Sequence, residues 1–337
     1  MNETKIEWCT HTWNPVTGCR HDCDYCYART WARRFAPHGC ERPMVEPLEI
    51  LPKGSGCFYV EEPAKLCDES GKFVRLSPYP KGFAPTLHGY AMDYPEKRKI
   101  PSSVFVSSMG DLFGEWVPDA WIQEVFDVCK RAPWHTYLFL TKNPARYLEL
   151  AQASVLPKEK NFWYGSTITG PNIPFFFSTE ENGEAYNTFL SIEPLLEPLG
   201  KIADREGFPK WVIVGAMTGP GSKKRQPLRE WVQEIVDAAR EAGSPVLMKN
   251  SLIDIWGGNL IQEFPEGIPR ADKAPPIPRC KRCEHVESKE QGKRGISYSC
   301  QIGWEAEGYD DRGARHIPGR YTRTSPHWCP RRKDPEA

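Results

Sequence analysis

The chain has 337 residues, enough for two domains or for one large α/β domain with an appendage. Hydrophobic residues make up 39% and charged residues 26%, and no run reaches the roughly 18 apolar residues of a membrane span, so a soluble protein without membrane insertion is expected. Lys plus Arg equals Asp plus Glu at 44 each, which excludes a global field for a polyanionic partner and confines any nucleic-acid surface to a local patch.

The opening residues, MNETKIEWCTHTW, lack a basic stretch followed by an apolar one, so the compartment expected is a reducing cytoplasm. The twelve cysteines then need an explanation other than disulfides. A first strand is predicted around Ile6 to Trp13 and leads into Thr17-Gly18-Cys19-Arg20-His21-Asp22-Cys23-Asp24-Tyr25-Cys26-Tyr27. A C-x3-C-x2-C string arises by chance with an expectation of only roughly 0.015, so the spacing is a signal. A polar, glycine-containing loop turns three thiols toward one point, and helix follows from Ala28 to Phe35. Soft thiolates suit zinc or an iron–sulfur cluster, and three local ligands leave either one short of four. A closed structural zinc site completed by His21, His11 or a distant cysteine is one outcome; an open position that admits a cofactor is the other.

Residues 39–101 are rich in Pro, Gly and Lys with little periodicity and are predicted to form an insertion or lid. Its Cys40, Cys57 and Cys67 match no ligand spacing and are expected to be ordinary thiols. Short β-branched or aromatic runs then recur at Ser103 to Ser107, Thr136 to Thr141, Phe162 to Thr167, Thr188 to Glu193, Trp211 to Gly215 and Pro245 to Lys249. Bounded by turn residues and alternating with helical patterns, they predict a parallel sheet buried on both faces, an α/β fold. Helices are predicted from Pro118-Asp119 to about Pro133, with Cys129 in the core, from Asn143-Pro144 through Leu150, and from Leu228 to Ala242, with Trp231, Ile235, Val236 and Ala239 on one face.

A Pro-rich linker, residues 272–279, separates a first domain, 1–271, from a cysteine-rich segment, 280–337. Cys280 and Cys283 make half of a tetrahedral site that Cys300 and Cys329 complete, with His285 and His327 as rival ligands. A metal would substitute there for a missing core. From Arg270 onward 15 Lys or Arg stand against 10 Asp or Glu, interleaved with Tyr298, Trp304, Tyr309, Tyr321 and Trp328. That pattern reads either as a nucleic-acid surface or as a metal knuckle with a solvated basic face.

Cys19, Cys23 and Cys26 followed by Tyr27 resemble the radical S-adenosylmethionine signature. The resemblance implies a [4Fe–4S] cluster on the three cysteines, S-adenosylmethionine on the fourth iron, and a 5′-deoxyadenosyl radical formed by one-electron cleavage with a reductant such as ferredoxin or flavodoxin. It also implies a partial or full (β/α) barrel with chemistry at the C-terminal strand ends. Those ends are polar: Ser107-Ser108-Met109-Gly110-Asp111, Thr141-Lys142, Ser166-Thr167, Glu193, Gly215-Ala216-Met217-Thr218 and Lys249-Asn250.

S-x-x-x-D-L-F, L-T-K-x-P, S-I-E-P-L-L and W-V-I-V-G behind T-W-N-P-V-T-G-C look like a phage-associated three-cysteine-motif family over about residues 4 to 250. The same order is more distantly similar to spore photoproduct lyase, which reverses a thymine photolesion in DNA. By that resemblance Ser107 and Lys142 contact S-adenosylmethionine, Ser166 lies near its ribose and Tyr27 packs beside the cluster, with Asp111 and Glu193 as further cofactor contacts. Lys142 has a physical reason, since an ammonium pairs with the cofactor carboxylate in a dry site. The usual G-G-E string after the second strand is absent, and Ser108-Met109-Gly110-Asp111 stands there. The expected function is radical chemistry on nucleic acid, as modification or lesion repair. Radical modification of a peptide or protein, and a non-catalytic metal-stabilised nucleic-acid-binding protein, are the alternatives. The resemblance adds an auxiliary [4Fe–4S] cluster to zinc as an occupant of the C-terminal site.

Overall fold

The computed structural model describes residues 1–177, 186–200 and 207–270, together with the backbone of the strands Val286–Glu290, Ile296–Cys300 and Arg315–Ile317. Two compact units divide at Ala271/Asp272. In the second, the three strands form an antiparallel sheet in chain order, with Cys300 opposite Val286 on one side and Arg315 on the other. Cys280, Cys283, Cys329, His285 and His327 lie outside the described residues, as does the side chain of Cys300.

The large sheet of the first unit has eight strands, of which those from Ser103 onward lie within a residue or two of their predicted limits. They are β1 (Asn2–Glu3), β2 (His11–Trp13), β3 (Ser103–Val106), β4 (Thr136–Thr141), β5 (Phe162–Ile168), β6 (Asn187–Ile192), β7 (Val212–Val214) and β8 (Val246–Met248). They make one eight-stranded sheet in that order, parallel throughout except for β1. The first long strand is shorter than predicted: only His11–Trp13 pairs, because Ile6 to Thr10 bend across the sheet end, where Trp8 packs on Phe105 at 4.5 Å.

Helices α1 (Tyr27–Phe35), α2 (Asp119–Arg131), α3 (Ala145–Gln152) and α4 (Arg229–Glu241) connect or cover the strands. Strand side chains alternate, so each strand serves two cores. Val104, Val106, Tyr137, Phe139, Phe162 and Tyr164 face α2 and α3, and Leu190, Ile192, Val212, Val214, Val246 and Met248 pack with α4. The residues between them, Phe105, Leu138, Trp163, Phe189, Ile213 and Leu247, join Trp8 and Cys9 on the opposite face. Cys129 is fully buried, as its helix position predicts. On α4 Ile235, Val236 and Ala239 are buried as expected, Val232 joins them, and Trp231 packs against the same cluster while half-buried at its rim.

The insertion is more ordered than its sequence predicts. Strands Arg42–Pro43, Ala64–Cys67 and Phe73–Ser77 form one small sheet. Leu48–Glu49, Phe58–Val60 and Thr86–His88 pair with Val16–Thr17 in another. The second sheet ties the insertion to the cysteine loop. Cys57 and Cys67 are buried in these sheets and Cys40 is exposed, which leaves the three far apart in environment. Among the described residues no helix is long and apolar enough to cross a membrane.

Candidate functional site

The three cysteines sit where the chain leaves β2. Gly18 makes the turn possible: its φ is +88° and a Cβ there would lie 2.3 Å from the Ala84 carbonyl oxygen. Its amide donates to the Met109 carbonyl at 3.0 Å, and the Cys19 amide donates to Phe83 at 3.3 Å. At the far end of the loop Cys26 caps α1, its sulfur accepting from the Arg29 amide at 3.4 Å, and its own amide donates to the Cys23 carbonyl. All three cysteines are partly exposed. Burial chiefly pushes the Cys19 thiol up to about 12 in the absence of a bound cation.

Across from the cysteines stands the loop that follows β3. Asn14 braces it, its side-chain oxygen accepting from Ser108 Oγ at 3.1 Å and from the Met109 amide at 2.9 Å, while the Tyr27 hydroxyl donates to the Ser108 carbonyl at 2.7 Å. Ser107 is held at φ 57°, a left-handed conformation that serine rarely adopts. It is 3% exposed, yet its hydroxyl has no hydrogen-bond partner among the described residues. Buried hydroxyls are normally satisfied, so Ser107 stands out in being both strained and unpaired.

Asp111 is spent on the protein itself. Its Oδ1 accepts from Thr141 Oγ1 at 2.7 Å and the Phe113 amide at 3.0 Å, and its Oδ2 from the Lys142 amide at 3.0 Å and His21 Nε2 at 2.8 Å. The carboxylate thus joins the ends of β3 and β4 to the middle of the cysteine loop. This contact engages one ring nitrogen of His21, the histidine considered above as a fourth ligand. The Lys142 ammonium lies over the Tyr25 ring at 5.7 Å from its centroid, on the cysteine-loop side of the rim. Ser166 Oγ accepts from the Phe176 amide at 2.9 Å and so fixes the segment after β5.

At the other strand ends Glu193 and Glu7 both pair with Lys249, Glu7 at 3.8 Å. Burial alone lowers the lysine's pKa, but the two carboxylates outweigh it and hold the ammonium above its ordinary value. Gly215 lets the pair pass, since a Cβ there would sit 3.0 Å from Lys249 Cδ and 3.3 Å from Glu193 Cγ. Sequence reasoning placed Glu193 and Lys249 on the rim but missed Glu7 and Asn14; the string N-P directly before the glycine turn was the signal for Asn14.

The donor set can be tested against a metal group. Among the described residues no three His, Cys, Asp or Glu side chains stand close enough to hold one metal ion. A tetrahedral zinc at about 2.3 Å from each sulfur needs sulfurs within about 3.8 Å of one another. Cys19, Cys23 and Cys26 are soft donors on one loop, a donor type that suits either zinc or an iron–sulfur cluster.

Comparison with known proteins matches residues 3–295 to a family described as Protein of unknown function (DUF5131). No curated protein and no solved structure matches.

Proposed function

We propose, from the premise that this chain belongs to the DUF5131 family, that it is a radical S-adenosylmethionine enzyme acting on nucleic acid in the cytoplasm. The observation that carries this reading is the pairing of the cysteine loop with Ser107. Three partly exposed thiols stand on the loop that leaves β2, and the strained, buried Ser107 directly follows the adjacent β3 with its hydroxyl unpaired among the described residues. Cys19, Cys23 and Cys26 would hold a [4Fe–4S] cluster, which when bound supplies the electron that cleaves the sulfonium to a 5′-deoxyadenosyl radical.

The chain's own residues do the rest. Ser107 would complete its hydrogen bonding on the cofactor, and Lys142, beside Tyr25, would pair with the cofactor carboxylate. Tyr27 braces the loop after β3, and Asp111 positions the cysteine loop through His21. Ser166 and Glu193 bound the space at the neighbouring strand ends. We read the sheet as a partial (β/α) barrel. Supporting this, one inner cluster draws on β3 to β8 together with Trp8 and Cys9, and the Asn250 amide beyond β8 donates to Glu7 before β2 at 3.1 Å. A reductant such as ferredoxin or flavodoxin would supply the electron. The C-terminal cysteines would hold zinc or an auxiliary [4Fe–4S] cluster.

The test is anaerobic reconstitution followed by iron and sulfide analysis, EPR, and incubation with dithionite and S-adenosylmethionine. The expected result is a cluster signal lost in Cys23→Ala and release of 5′-deoxyadenosine by the wild type. Iron content unchanged in that variant, or a cluster-loaded protein that releases no 5′-deoxyadenosine, overturns the reading.

A further inference from the structure

Helix α1 is packed inside out. Its buried residues are Ala28 and Ala32, while Tyr27, Trp31 and Phe35 are 54%, 50% and 37% exposed. Ala28, Trp31, Ala32 and Phe35 follow one i, i+3, i+4, i+7 stripe, along which the two alanines are buried and the two rings keep much of their surface in water. Trp31 and Phe35 stack on each other, 5.5 Å apart with an interplanar angle of 13°. The Arg34 guanidinium stands 5.8 Å from the Trp31 ring and 5.9 Å from that of Phe35.

The helix reads YARTWARRF, three arginines and no acid. Nearby carboxylates are already paired: Asp22 with Arg29, Asp24 with Arg225, and Glu41 with Arg75. Arg33 and Arg34 have no carboxylate partner among the described residues, so the uncompensated charge of this face is positive. It also carries no aliphatic side chain, the usual filler of a groove that takes a protein segment.

We propose that the outward face of α1 binds single-stranded nucleic acid, with bases stacked on Trp31 and Phe35 and phosphates on Arg33 and Arg34. Stacked aromatics tolerate any base; Arg34 lies against the rings, and Arg33, exposed further round the helix, reaches a flanking phosphate. The location fits a substrate. Trp31 lies five residues beyond Cys26, about 7.5 Å along the helix axis, which is the length of about two stacked nucleotides. A strand held here runs onto the cysteine loop. The proposal deepens the reading of that loop as catalytic and rests on it for its purpose, while the surface itself is testable alone.

The test is fluorescence anisotropy of a labelled 12-nucleotide single-stranded DNA with the full-length chain, over 50–300 mM salt. The variants are Trp31→Ala with Phe35→Ala, Arg33→Gln with Arg34→Gln, and Leu148→Ala, an exposed apolar residue elsewhere, as control. We expect the aromatic pair to cost tenfold or more in affinity at every salt concentration. The arginine pair should reduce the slope of log K against log salt by about 1.4, two single-strand phosphates. The control should change neither.

No binding at 50 mM salt, or wild-type binding by the aromatic pair, overturns the proposal. So does a concentration-dependent dimer of the wild type that the aromatic pair abolishes, which would assign the face to a second copy. Iron content and 5′-deoxyadenosine release without DNA separate the two ideas. Variants that lose DNA but keep both support the surface. Wild type that binds DNA through this face yet releases no 5′-deoxyadenosine leaves the surface standing and removes the enzyme reading.

Discussion

Replacing Asp111 by asparagine probes how the site is held. The side chain keeps its shape, but one oxygen becomes an NH2 group. Placed at Oδ2, that group meets the Lys142 amide and His21; placed at Oδ1, it meets the Phe113 amide and the Thr141 hydroxyl. The Thr141 hydroxyl can turn and accept, and His21 can accept in its other tautomer, so either arrangement leaves one backbone N–H, of Phe113 or of Lys142, facing an N–H. One orphaned amide costs about 1–3 kcal/mol, and the remaining bonds lose their charge assistance, so a total loss of about 2–4 kcal/mol is expected. Urea titration should show a lower midpoint with an unchanged slope. Because His21 stands between Cys19 and Cys23, Asp111→Asn should also lower the iron retained after reconstitution although no cysteine has changed. A variant as stable as the wild type to within about 0.5 kcal/mol, with full iron, would refute Asp111 as the anchor of the loop.

Gly18→Ala is expected to lose about 3 kcal/mol or more, because the new Cβ meets the Ala84 backbone and the φ of +88° disfavours it; denaturant titration checks this, and a loss below about 1 kcal/mol contradicts it. Ser107→Ala removes an unpaired buried hydroxyl, so stability should hold or rise by up to about 1 kcal/mol. In the reconstituted protein the same change should weaken S-adenosylmethionine binding about tenfold by calorimetry, and unchanged binding would take Ser107 out of the cofactor site.

His88 is pushed down to about 4 by burial against an ordinary 6.5. The unfolded chain therefore binds the proton first as pH falls, and its contribution is complete above pH 6.5. About 3 kcal/mol should be lost between pH 6.5 and 4. His88→Gln should flatten the pH dependence of the urea midpoint by that amount.

The cysteine trio and the strands were readable from the sequence. Both are local patterns: three thiols within eight residues, and apolar runs whose alternation feeds two cores regardless of partner. The insertion was not readable, because strands of two to five residues such as Arg42–Pro43 are too short for a period of two to register. The chain alone also fixes the 3.6 spacing of Ala28, Trp31, Ala32 and Phe35, which sets alanines and rings along one stripe of the helix. Only the folded body decided that along this stripe the alanines are buried and the rings stay partly in water. The grip of Asp111 on His21 spans 90 positions, and the ion pair of Lys249 with Glu7 spans nearly the whole first unit. Such contacts carry no local signature: each residue alone is an ordinary polar group in a loop, and the crossovers of a parallel sheet bring it to its partner at the strand ends.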